Sequence, residues 1–120
     1  MLFRQFVDPD LGCASYFIGS EAAGEAIVVD PAYAIEQYVA EAERHGVTIV
    51  RVVETHNHAD HVAGHGRLAL EHGARISIHP LAEPEYDHDP IEDGDVITVG
   101  EVEIRVIHTP GHRPEHCALL

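Results

Sequence analysis

The order of apolar patterns predicts an α/β (α+β) layer fold, one domain covering residues 1–120. Three observations carry it. Short β-branched runs recur, as in Ala26-Ile27-Val28-Val29 and Thr48-Ile49-Val50. A helical face, Ile35, Tyr38, Val39 and Ala42, interrupts them at i, i+3, i+4 and i+7. Near the end, Val102, Ile104 and Val106 alternate with Glu103 and Arg105, the period of a half-buried strand.

Taken in order, Leu2 to Val7, Ala14 to Gly19 and Ala26 to Asp30 read as strands separated by Asp-Pro-Asp and glycine-rich turns. The third stops at Asp30-Pro31. The first helix ends at Gly46, behind Arg44-His45, because glycine alone enters the left-handed region without steric penalty. Thr48 to Glu54 is a strand that delivers the chain into Thr55-His56-Asn57-His58-Ala59-Asp60-His61. A second helix is expected over Val62 to His72, with Leu68 and Ala69 inward and Gly73 as its stop. Arg75 to His79 reads as a strand, and the acidic, proline-containing stretch Leu81 to Asp93 as a surface loop. Asp95 to Val99 and Val102 to His108 form a hairpin about Gly100-Glu101. Its second strand runs into Thr109-Pro110-Gly111-His112, a type II turn order, and the last residues start another strand.

Composition excludes several classes. With 45% hydrophobic and 23% charged residues, the chain is globular rather than disordered or fibrous. A net charge of −14, with arginine as the only basic residue, repels phosphate backbones and anionic lipid, so neither nucleic acid nor membrane is expected as a partner. No apolar run approaches the ~18 residues of a membrane span, and the N-terminus lacks a signal-peptide core. Cys13 and Cys117 stand far apart without a C-x-x-C pair, which suits a reducing, cytoplasmic setting. Cys117-Ala118-Leu119-Leu120 matches a prenylation pattern that nothing else in the sequence supports.

The chemistry concentrates at two strand ends. His56 and His58, at i and i+2 where a strand runs out, can point to one side and converge on one ion. Asp60 and His61 follow at the turn toward the helix, and His112 stands behind a rigid Pro-Gly turn. Imidazole nitrogen and carboxylate oxygen suit zinc, iron or manganese. Three imidazoles with water make an open catalytic site, and two imidazoles with a carboxylate make the facial triad of non-haem iron oxygenases. The remaining histidines, such as His45, His65, His72, His88 and His116, are read as surface residues of a histidine-rich chain. Cys13 and Tyr16 are read as packed residues beside strands, outside the site.

These motifs resemble the metallo-β-lactamase superfamily. Its H-x-H-x-D-H stands here as His56 to His61, and its T-P-G-H as Thr109 to His112. Gly12-Cys13-Ala14-Ser15-Tyr16 and the AIVVDP run fit as well, so the likeness covers essentially the whole chain. Thr109-Pro110-Gly111-His112 continuing as Arg113-Pro114-Glu115 is similar to the persulfide dioxygenases, some of them fused to rhodanese domains. Glyoxalase II thioesterases share both motifs but usually continue differently.

The resemblance implies an αββα sandwich of which this chain supplies about the first half. In a persulfide dioxygenase, His56 and His112 would ligate one Fe(II) together with an aspartate. His58, Asp60 and His61 would then orient the ligands, and a glutathione-type persulfide would be oxidised to sulfite. In a glyoxalase II type of hydrolase, His56, His58 and His112 would hold one Zn(II), and Asp60 with His61 a second, for attack on a thioester. Asp60 and His61 carry the catalytic roles in either case.

The aspartate and final histidine that the family places after T-P-G-H have no counterpart, since the sequence ends eight residues past His112. A fragment of a longer protein is the favoured expectation, because the hairpin's sheet would otherwise keep an exposed edge. A non-catalytic metal-binding or sheet-pairing module is the third reading. Association of copies, or a rhodanese domain as fusion or partner, belongs to the same expectation.

Overall fold

The computed structural model describes residues 1–7, 14–31, 35–55, 68, 73–78, 80, 89–109 and 117–119. Within them run β1 (Leu2–Val7), β2 (Ala14–Ser20), β3 (Glu25–Val29), α1 (Glu36–His45), β4 (Thr48–Glu54), β5 (Arg75–Ile78), β6 (Asp89–Pro90), β7 (Val96–Val99), β8 (Val102–His108) and β9 (Cys117–Leu119). β1 to β6 form one sheet in sequence order, and β7, β8 and β9 form a second. β1, β2 and β3 pair antiparallel, whereas β3, β4, β5 and β6 pair parallel. The second sheet is antiparallel throughout.

The alternation of β3 explains the layers. Ala26 and Val28 face one side, where they pack with Phe17, Val52, Leu68 and the α1 residues Tyr38 and Ala42. Ile27 and Val29 face the other side, where Val53, Ile97, Val99, Ile104 and Val106 close an inter-sheet core. Both faces of β3 are thus apolar, which is why its sequence reads as an unbroken run rather than as alternation. Complete burial of such valines and isoleucines contributes roughly 1.5–3 kcal/mol each. The described layers are helix, sheet and sheet, three of the four that an αββα sandwich contains.

α1 is held by its ends. Glu36 stands in its first turn and Arg44 and His45 in its last, each sign complementing the helix dipole. Gly46 adopts φ +66° and its N–H donates to the Ala42 and Glu43 carbonyls, closing the helix. Against the expected apolar face, Glu41 is also buried. Arg4 of β1 and Arg44 both reach its carboxylate, so an acid that reads as solvent-facing joins the first strand to the helix. Behind it the Ser15 and Tyr38 hydroxyls bond at 2.7 Å.

Most expected elements are present within a residue of their limits. The third strand ends at Val29, and Asp30 leaves it at φ +50°, the one non-glycine positive φ among the described residues. β3 and β4 slip register between Ala26 and Ile27, leaving Val50 as the extra residue of a bulge. The second expected helix, Val62 to His72, lies outside the described residues apart from Leu68, which is fully buried. Gly73 has φ +70°, and the helix it was expected to stop lies outside the described residues. Ala69, His65, His72, His79, His88, His116 and Cys13 also lie outside the described residues. Tyr16 packs against the inter-sheet core, as expected of a packed residue.

One expectation needs correction. The stretch read as a loop, Leu81 to Asp93, contains β6 at Asp89–Pro90, paired with Ser77 and Ile78. The cause is a non-local charge pair: Asp89 accepts from Arg75 at 2.6 Å and from Arg51 at 3.2 Å. The Arg75 hydrogen bond holds the Asp89 carboxyl below the usual carboxylate range, with the Arg75 and Arg51 charges adding to it against partial desolvation. Ile91, next along, is buried between the sheets and donates its N–H to the Ile78 carbonyl at 3.1 Å.

Candidate metal centre

Because β3, β4 and β5 are parallel, their C-terminal ends lie along one edge, the usual place for a site on an open parallel sheet. Asp30 and Thr55 meet there. The Asp30 N–H donates to the Val53 carbonyl at 2.9 Å, which turns the Asp30 side chain along the end of β4. Its Oδ1 accepts the Thr55 N–H at 2.8 Å and its Oδ2 accepts the Thr55 hydroxyl at 2.5 Å. A bidentate carboxylate on one residue fixes both the backbone and the side chain of Thr55. His56 follows at once.

The described residues on either side of the second motif reach the same place. β8 ends at His108, which pairs with Cys117, the first residue of β9. The segment holding Pro110 to His116 is therefore closed at its feet by one antiparallel ladder. The Cys117 N–H donates to the Thr55 carbonyl at 2.8 Å, tying that ladder to the end of β4. The His108 N–H donates to Asp93 Oδ1 at 2.9 Å, steadying the other foot. So the residue before His56 and the two feet flanking His112 are brought together across the two sheets by main-chain bonds.

His56, His58, Asp60, His61 and His112 themselves lie outside the described residues. Asp30, Thr55 and Cys117 were missed as anchors from sequence, where Asp30-Pro31 reads only as a strand stop. A partial signal was available: an Asp closing one parallel strand and a Thr closing the next form a donor and acceptor pair. Cys117, matched earlier to a prenylation pattern, is buried as part of β9 and makes a poor lipid acceptor in this fold.

A family model of the Metallo-beta-lactamase superfamily matches residues 8–120. The chain belongs to this superfamily. Its relatives bear two kinds of name. A hydroxyacylglutathione hydrolase of Rhodospirillum rubrum is 37% identical over 108 residues, covering 86% of this chain and 41% of its own. The mitochondrial persulfide dioxygenase ETHE1 of Bos taurus is 34% identical over 116 residues, covering 95% of this chain and 45% of its own. The crystal structure of ETHE1 from Myxococcus xanthus superposes on all of this chain with a TM-score of 0.91 at 28% identity, covering 53% of that protein. The chain spans about half the length of the curated relatives it matches, from 41% to 45% of the two just described. Among the described residues, no helix is long and apolar enough to cross a membrane.

Proposed function

We propose that this chain is the N-terminal half of a metallo-β-lactamase-fold domain whose complete form is a non-haem iron persulfide dioxygenase. The observation that carries the reading is the continuation of Thr109 to His112 as Arg113-Pro114-Glu115, on a chain similar to persulfide dioxygenases over 95% of its length. Two donors of an iron site stand in this chain, the imidazoles of His56 and His112, which accept a borderline metal, and the carboxylate that would complete the triad would come from the remainder of the domain. Iron, when bound, supplies the redox chemistry that lets molecular oxygen react with sulfane sulfur.

The chain's own residues have separable tasks. His56 and His112 hold the metal from two strand ends whose positions Asp30, Thr55 and Cys117 fix. His58, Asp60 and His61 orient those ligands by hydrogen bonds, which sets ring direction and ligand basicity. The reaction balances as glutathione persulfide plus oxygen plus water giving glutathione plus sulfurous acid. The terminal sulfur loses four electrons to reach sulfite, and oxygen gains four.

The 37% identity to a hydroxyacylglutathione hydrolase favours a second reading. There His56, His58 and His112 hold one zinc, Asp60 and His61 a second, and a glutathione thioester is cleaved. One experiment separates the two. The complete gene product is purified without oxygen or chelator, its metals are counted, and it is given glutathione persulfide and S-lactoylglutathione in turn. One iron per chain, with oxygen uptake and sulfite in equal amounts, is the expected result. Thioester cleavage without oxygen uptake overturns it in favour of the hydrolase. Turnover of neither substrate overturns both in favour of a non-catalytic module.

A further inference from the structure

We infer, resting on the metal-centre reading proposed above, that Glu54 is a positioning residue of that centre. Its buried carboxylate accepts N–H groups of the connection that carries His56, His58, Asp60 and His61. Glu54 is the last residue of β4, 3% exposed, and Thr55 alone separates it from His56. This chain by itself encloses it. Among the described residues Glu41 is the other buried acid, and it lies toward the start of β4, where Arg4 and Arg44 reach it. Glu54 stands at the opposite end of the strand, where the first histidine motif begins.

The strand pattern calls for a different residue there. Side chains alternate across a strand. Val53 packs in the inter-sheet core, whereas Val52 packs with Tyr38, Ala42 and Leu68 on the outer face. Glu54 follows Val52 at i+2 and so turns to that outer face, beside its strand partner Ile78, which is fully buried. An apolar side chain would extend the outer core. A carboxylate shut away from water costs several kcal/mol unless donors meet it. Where local pattern is broken this way beside a motif, function is the usual reason.

The path of the chain supplies the donors. It leaves the sheet at Thr55, and at Leu68 it is packed in the outer core with Val52 and Tyr38. Residues 56–67, which include every candidate ligand of the first motif, therefore join the end of β4 to the face that Glu54 occupies. Two carboxylates thus stand at the entry to the motif. Asp30 fixes Thr55 from the end of β3, and Glu54 serves the connection beyond it. A carboxylate suits that task, because both of its oxygens accept and neither donates. Partners of this kind set the direction and basicity of metal ligands, and their loss lowers metal affinity by about 10–100-fold.

The test is cobalt(II) binding by the complete, metal-free protein, because Co(II) enters both iron and zinc types of site and its visible bands report ligand geometry. Glu54→Gln should weaken Co(II) affinity by about 10–100-fold and shift those bands, while the metal-free variant stays folded. Glu54→Asp keeps the carboxylate but withdraws it by one methylene, and should shift the bands with a smaller loss of affinity. A residue serving the fold alone would lower the unfolding temperature of the metal-free protein and leave the affinity of the folded protein unchanged. Affinity within about threefold of the parent, with unchanged bands, overturns the inference, and so does failure of both variants to fold. A parent protein that binds no Co(II) overturns the metal-centre reading along with it. A parent that binds Co(II) and cleaves only the thioester removes the dioxygenase reading alone, and the Glu54 affinities decide the inference as before.

Discussion

Replacing Asp30 tests whether the end of β4 is held as the geometry says. The carboxylate accepts two hydrogen bonds from Thr55, at 2.8 Å and 2.5 Å, from a residue whose φ is +50°. A hydrogen bond to a charged group contributes about 1.5–3 kcal/mol, and Asp30 is only half-buried, so the lower end applies to each. Alanine loses both bonds, and it occupies the left-handed region at a cost of about 1 kcal/mol that aspartate and asparagine partly escape. Asp30→Ala should therefore destabilise the chain by about 3–4 kcal/mol, a large part of the 5–15 kcal/mol typical of a domain. Asp30→Asn keeps one acceptor and tolerates the backbone, and should lose about 1–1.5 kcal/mol. Asp30→Gly removes the bonds but not the conformational fit, and should fall between them. The assay is urea unfolding at constant slope, with exchange of the Thr55 amide as a local readout. A loss under about 1 kcal/mol for alanine, or a glycine variant no more stable than alanine, refutes the argument.

Other expectations are independent of that bond. In the complete protein, His56→Ala or His112→Ala should abolish the proposed iron binding by metal analysis, and stoichiometric iron in either variant would refute the ligand assignment. His58→Ala should lower turnover while keeping much of the iron, whereas complete metal loss would favour the two-metal hydrolase. The Asp89 carboxyl titrates below its unfolded value, so its stabilising effect is present above the ordinary carboxylate range and fades as pH falls through the lowered pKa. Asp89→Asn should flatten that acid limb in pH-dependent unfolding, and an unchanged limb would sink the assignment. Gly100 stands at φ +57°, and an added Cβ would run into the Ser20 side chain and come within 2.9 Å of the Ala23 Cβ. Gly100→Ala should cost about 1–3 kcal/mol in thermal unfolding, and a neutral result would show that the turn repacks freely.

Local pattern made much of the fold legible. Val102, Ile104 and Val106 alternate because one face of β8 is buried, and Ile35, Tyr38 and Ala42 recur at helical spacing because one stripe of α1 is buried. Those periods exist in the sequence before any tertiary contact. What escaped depends on partners distant in the chain. Glu41 is buried because Arg4 reaches it from β1, and β6 exists because Arg51 and Arg75 converge on Asp89. Asp30 looked like punctuation, since its partner Thr55 stands 25 residues away. The proposed metal ligands rest on sequence for the opposite reason: metal chemistry restricts residue type so sharply that the H-x-H-x-D-H spacing suggests a site without the fold, and those residues lie outside the described ones.

The hydrogen bond from Cys117 to Thr55 has a bearing on how such a scaffold can change over time. It separates the supports of the two histidine motifs from the sequence those supports carry. The pairing of His108 with Cys117 and the bond from Cys117 to Thr55 are main-chain contacts, so they do not depend on which side chains stand between them in sequence. A single deletion inside β4 is another matter, because a one-residue slip turns every side chain to the opposite face and carries Thr55 away from Asp30. The strand that leads to Thr55 is therefore the less tolerant of a change in length.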